Sequence, residues 1–156
     1  MQWTKVWLML HLYFAFMFVG SLIVAEWVGG IARRAPEWRD RALLFEVLKR
    51  STQWAGLLPL VLLGALGNLV AMQNGLRMAA DPWLRTVNGV WLLLVIVLAA
   101  VALPSLRRLA TLSRSAATGG PSEGYEAALR NWRFANLALT LLYVVQLALM
   151  VSQAKL

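Results

Sequence analysis

The stretch from Val6 to Ile31, VWLMLHLYFAFMFVGSLIVAEWVGGI, decides the fold class. Its only acidic or basic side chains are His11 and Glu26. A helix rising ~1.5 Å per residue needs ~20 mostly apolar residues to cross a hydrocarbon core ~30 Å thick, and this run exceeds that. It also exceeds the ~7–15 residues of a signal-peptide core, and the charged ARRAPEWRD that follows is a poor cleavage site. The stretch therefore reads as a retained first membrane span.

Working outward, three more runs are long and apolar enough, at about 52–73, 86–106 and 132–152. None alternates with period two, so barrel strands are not expected. Helices are then the remaining way to pair every backbone N–H and C=O inside lipid. Composition agrees. The chain is 60% hydrophobic and 14% charged, against about 45–50% and about 25% in soluble domains. A chain of 156 residues has too little interior to hide that much apolar surface from water. The expected fold is all-α: a polytopic membrane protein with a four-transmembrane-helix bundle, one domain over residues 1–156. Cysteine is absent, which excludes disulfides, thiolate nucleophiles and cysteine metal sites.

Basic residues set the expected orientation. The segment between spans one and two carries Arg33, Arg34, Arg39, Arg41, Lys49 and Arg50. The segment between spans three and four carries Arg107, Arg108, Arg114, Arg130 and Arg133. Together they hold eleven of the 15 Lys and Arg residues. Lys5, Arg77, Arg85 and Lys155 fall on the other side. Loops 32–51 and 107–131 are thus expected in the cytoplasm and both termini outside, in a bacterial inner or plasma membrane. The net charge of +8 fits contact with anionic lipid headgroups; nucleic-acid binding is not expected. Trp3, Trp7, Trp27, Trp54, Trp83 and Trp132 fall near span ends, where indoles prefer to sit.

Loop one reads PEWRDRALLFEVLKR from Pro36 to Arg50. Pro36 suits a helix start, Glu37 and Asp40 suit its first turn, and Glu46 and Arg50 are spaced i,i+4. Trp38, Leu44, Phe45 and Leu48 can share a face. This predicts a short cytoplasmic interfacial helix lying on the leaflet. Loop three contains SRSAATGGPSEG from Ser113 to Gly124, expected as a turn or mobile linker, with the fourth helix beginning near Tyr125. Pro59 and Pro104 are each expected to kink a span and free a carbonyl.

Polar groups inside hydrocarbon are costly and mark function or interhelical bonding. His11, Asn68, Asn88, Tyr143 and Gln146 fall in one layer, roughly 4–10 Å beneath the outer surface at ~1.5 Å per residue, with every span contributing. One reading makes them a ligand or cofactor site; the other makes them bonds that hold the helices in register. His11, the one histidine, could ligate a metal or haem iron, but a bis-histidine site would need a second copy of the chain. Glu26 is expected to pair with Arg33 and Arg34, and the sharper alternative is a proton-relay acid.

These residues carry a resemblance. The patterns LHLYFAFMFVGSLI (10–23), GLLPLVLLGALG (56–67), PWL (82–84), ALPSLRRL (102–109) and NWRFANLAL (131–139) resemble a small integral membrane family known only as domain of unknown function 2269. That resemblance implies fold and membrane location. A weaker similarity, through a histidine in the first span, is to membrane proteins of the copper-resistance type and of the protoporphyrinogen-oxidase type. It implies haem b or copper chemistry, although this chain lacks the later-span histidines or lysine of those families. No acid–base pair, nucleophile triad or phosphate loop is evident. The expected function is therefore an accessory or assembly component of a membrane complex, with a homo-oligomer or a larger membrane complex as the expected assembly. The alternatives are a haem b- or quinone-linked redox protein using His11 and a small-solute transporter acting as an oligomer.

Overall fold

The computed structural model describes residues 2–78, 80–120 and 123–153. Those residues are almost wholly helical: α1 (Gln2–Arg34), α2 (Trp38–Ser51), α3 (Leu58–Gln73), α4 (Pro82–Ile96), α5 (Leu103–Gly119) and α6 (Tyr125–Gln153). Wide π-helical turns, Thr52–Leu57 and Val97–Ala102, join α2 to α3 and α4 to α5 without a break. The result is four long rods, all apolar enough to cross a membrane, of which the second (Trp38–Gln73) has 36 residues and the third (Pro82–Gly119) has 38. Lys155 and Pro121 lie outside the described residues.

The two prolines explain the wide turns. A proline has no N–H and its ring strikes the carbonyl four residues earlier. Opening the preceding turn relieves that strike. Ahead of Pro59, Leu58 N–H reaches back five residues to Gln53 O. Ahead of Pro104, Leu103 N–H reaches Leu98 O. The expected kinks thus take the form of π turns, one in each central rod.

The helix expected in loop one is present as α2, but its apolar side is turned inward. Ala42, Phe45 and Leu48 are buried, and α2 packs along α5 and α1. Phe45 sits edge-on to Tyr125 and Trp132, with centroids 6.4 and 6.3 Å away. Packing against protein, rather than lying on lipid, is favoured because α5 offers a matching stripe: Leu106, Leu109, Ala110, Ser113 and Ala116 are buried at i,i+3/i+4 spacing. The same stripe corrects the reading of Ser113–Gly124 as a linker. Its apolar spacing carries α5 on to Gly119, and the turn begins at Gly120, whose φ is 87°.

Glu46 pairs mainly within α2 and faces α5 through Arg114. It meets Lys49 Nζ at 2.7 Å, Arg50 Nε at 3.2 Å and Arg114 Nη2 at 3.7 Å. It lies six residues before the apolar run begins at Thr52. The Lys49 ammonium bonded to it lowers its pKa below the ordinary 4.5, against a smaller opposing effect of burial. A carboxylate with a depressed folded-state pKa stabilises the fold above its unfolded value, and that contribution fades as pH falls through the folded value. Lowering the pH below 4.5 should therefore weaken the support that Glu46 gives the end of α2 through Lys49 and Arg50 in the wild type. Glu46→Gln should show a flatter acid limb in thermal melts, and equal limbs would remove this role.

Two cores stack along the bundle. One joins Phe18, Leu22, Leu60, Leu63, Leu94, Leu98, Leu139 and Tyr143. The other, at the arginine-rich end, joins Ala25, Ala32, Phe45, Leu48, Leu106, Leu109, Tyr125 and Trp132. Trp132, at 2% exposure, is core rather than a lipid-facing anchor, whereas Trp3, Trp27 and Trp54 stand outward. Among the central rods, α2 and α5 pack closely, while α3 and α4 have far fewer contacts. A gap is therefore left between α3 and α4, at the end that carries the termini and the α3–α4 loop, while α3 packs on α1 and α4 on α6.

Candidate functional site

The splay between α3 and α4 is bridged by a few specific groups. Two of them depend on glycines. Helical side chains lean toward the N-terminus and cover the turn before their own Cα. A glycine therefore uncovers the carbonyl four residues earlier. At Gly64, the Trp91 indole from α4 lies where a Cβ would be, and its Nε1–H donates to Leu60 O at 2.8 Å. At Gly67, the His11 ring from α1 lies 2.9 Å from where a Cβ would be, and Nδ1 meets Leu63 O at 2.9 Å. A carbonyl only accepts, so Nδ1 carries the proton and Nε2 of the neutral ring carries the lone pair.

The third bridge is an amide pair. Asn68 Nδ2 donates to Asn88 Oδ1 at 2.7 Å, and Asn88 Nδ2 returns the bond to Asn68 Oδ1 at 3.0 Å. Each amide also donates to its own helix, Asn68 to Gly64 O and Asn88 to Leu84 O, both at 2.9 Å. Those carbonyls fix which end of each amide is nitrogen. Asp81 starts α4 on the far side by accepting from Trp83 N and Leu84 N, satisfying donors the first turn leaves free. Trp83 Nε1–H donates across the bundle to Leu149 O at 2.9 Å.

Of the five residues expected in one layer, the structure brings three together. His11, Asn68 and Asn88 line a cavity of about 60 Å³ walled by Trp83 and Trp91. Tyr143 instead packs on Phe18, with centroids 5.4 Å apart, inside the apolar core. Gln146 is 2% exposed, and its Oε1 lacks a partner among the described residues; neither it nor Tyr143 lines the cavity.

Glu26 does not pair with Arg33 or Arg34 among the described residues, where all three ion pairs centre on Glu46. Arg33 Nε donates to Gly29 O instead. Glu26 Oε1 accepts from Asn136 Nδ2 of α6. Asn136 is buried while Glu26 stands exposed on the flank between α1 and α6. The reason is angular: on α1, Glu26 points at α6, and a carboxylate can reach a facing amide more cheaply than it can bend back along its own helix. Asn136 lies within NWRFANLAL, yet its partner is 110 residues away, beyond any spacing rule.

The residues do not fit an internal haem b. The one histidine spends Nδ1 on Leu63 O, faces a cavity of only about 60 Å³, and has no second histidine or cysteine in the chain to complete an axial pair. Among the described residues no group of three His, Cys, Asp or Glu could hold a metal ion. No protein-family model matches the chain, and no curated protein or solved structure matches it significantly.

Proposed function

We propose that the chain is an accessory or assembly component of a larger membrane complex, held in a bacterial inner membrane with both termini outside and its arginine-rich end in the cytoplasm. The orientation rests on the eleven-to-four division of its 15 basic residues. The role rests on Glu26.

Glu26 lies five residues inside the end of the apolar run at Ile31, about 7 Å deep at ~1.5 Å per residue. An ionisable group at that depth is costly and is ordinarily turned into the bundle or given a partner. Here it is exposed, with Trp27 and Phe134 exposed beside it and one bond from Asn136. A second polypeptide seated on this flank would supply the missing donor. The polar groups inside the bundle, by contrast, are largely spent on one another and on backbone carbonyls, which suits a structural role.

The test is the native mass of the tagged full chain extracted in mild detergent. The expected result is a mass above one chain for the wild type and one chain for Glu26→Leu, with the variant still folded but its thermal midpoint modestly lowered, because buried Asn136 loses its acceptor. A lone wild-type chain would overturn the proposal, as would a variant that keeps its partner.

A further inference from the structure

At the splayed end, the gap between α3, α4 and their loop forms an open vestibule of about 560 Å³, bordered by Asn68, Met72, Leu76, Arg77 and Leu84. It meets the small cavity of about 60 Å³ at two shared residues, Asn68 and Leu84. The volume is that of a small-molecule site, and the lining is of the usual kind, apolar walls with a few convergent polar groups.

An inventory of those polar groups selects the ligand. Both N–H groups of Asn68 are spent, on Gly64 O and Asn88 Oδ1. Both N–H groups of Asn88 are spent, on Asn68 Oδ1 and Leu84 O. The indole N–H groups of Trp83 and Trp91 are spent on Leu149 O and Leu60 O. His11 Nδ1–H is spent on Leu63 O. What is left is one lone pair on each amide oxygen and the lone pair of His11 Nε2. The inner end of the site can therefore accept hydrogen bonds and cannot donate one.

We infer that the vestibule and inner cavity form one binding site for an apolar molecule that carries a hydroxyl donor, its body between Met72, Leu76 and Leu84 and its hydroxyl on the free lone pairs of the asparagine oxygens. A ketone or ether of the same shape would leave those acceptors unanswered. A carboxylate would bring negative charge to a cluster of lone pairs and would be held at the mouth by Arg77, the one charged group in the lining among the described residues. The site is independent of any partner at Glu26, since it lies at the opposite end of the bundle.

The experiment uses the full chain in detergent micelles and three photoreactive probes of equal length: a diazirine-bearing long-chain alcohol, the matching ketone and the matching fatty acid. Labelled peptides are mapped by mass spectrometry. The alcohol should label the 68–84 segment about fivefold or more above the ketone, as expected for one net hydrogen bond. Met72→Trp, a substitution at an outward-facing position, should block the vestibule and abolish that labelling while the thermal midpoint holds. Equal labelling by alcohol and ketone would overturn the inference, as would unchanged labelling of a folded Met72→Trp. Strongest labelling by the fatty acid would also overturn it, because that outcome assigns the vestibule to anions at Arg77. If Met72→Trp fails to fold, the alcohol-to-ketone ratio on the wild type decides alone.

Discussion

Gly64→Ala should destabilise the bundle by about 1–3 kcal/mol, the usual cost of forcing extra volume into a packed interior. In an ordinary helix the same exchange gains up to about 1 kcal/mol, because alanine is the better helix former. The sign reverses here because the added methyl would fall inside the Trp91 ring. The indole cannot simply withdraw, since its Nε1–H is bonded to Leu60 O and withdrawal would cost that bond. Gly29 is in the same position under Trp132, which is itself wedged against Phe45. Gly20 supplies the control: a Cβ there meets nothing within 4 Å, so Gly20→Ala should be neutral or stabilising. Detergent-unfolding midpoints of the three variants decide the matter. A Gly64→Ala protein as stable as Gly20→Ala would show that the indole is not where the structure puts it. Pairing Gly64→Ala with Trp91→Leu should recover part of the loss, because the clash then has one member.

Hydrophobic length was enough to read the four rods, since a run that must match ~30 Å of hydrocarbon leaves its signature in the chain locally. The helix boundaries were not equally legible. The membrane sets only the apolar middle of each rod, whereas α2 and the far end of α5 are helical because each supplies the other's apolar partner, a fact written in two segments at once. The polar layer shows the same division. Counting residues from span ends placed His11, Asn68 and Asn88 at one depth, because rise per residue is fixed. It could not say which way each side chain points, since depth is set by distance along the axis and facing by rotation about it. Tyr143 shares the depth and faces the core against Phe18. Gly64 and Asn68, four residues apart, were readable as one face, but what the glycine receives, an indole from 27 positions on at Trp91, was not. The Glu26–Asn136 bond failed for a further reason: nearby arginines offered Glu26 a local partner by charge, and geometry overruled charge.

Replacing Asn68 or Asn88 alone by leucine should cost about 1–2 kcal/mol each, because the surviving amide loses both the N–H and the carbonyl oxygen that its partner supplied. The reciprocal bonds at 2.7 and 3.0 Å are the only side-chain hydrogen bonds joining α3 to α4 among the described residues, apart from the indole bond of Trp91. In a membrane their worth is limited by the partners an amide finds in the unfolded state, about 0.6 kcal/mol each and at most ~1.7. The two substitutions should therefore not add. With both asparagines replaced, no amide is stranded, and the leucines gain contact across the same gap, so the double variant should lie close to the less damaged single one. Urea is a poor probe in micelles, so the cycle is best read from midpoints of unfolding in sodium dodecyl sulfate. Costs that simply sum would mean the amides do not meet. A coupling energy inside the expected range, together with a thermal midpoint near wild type in the double variant, would mean that the pair sets which faces of α3 and α4 meet more than how strongly they hold. Register is the property a splayed pair of helices needs most, since α3 and α4 share little other contact to define it.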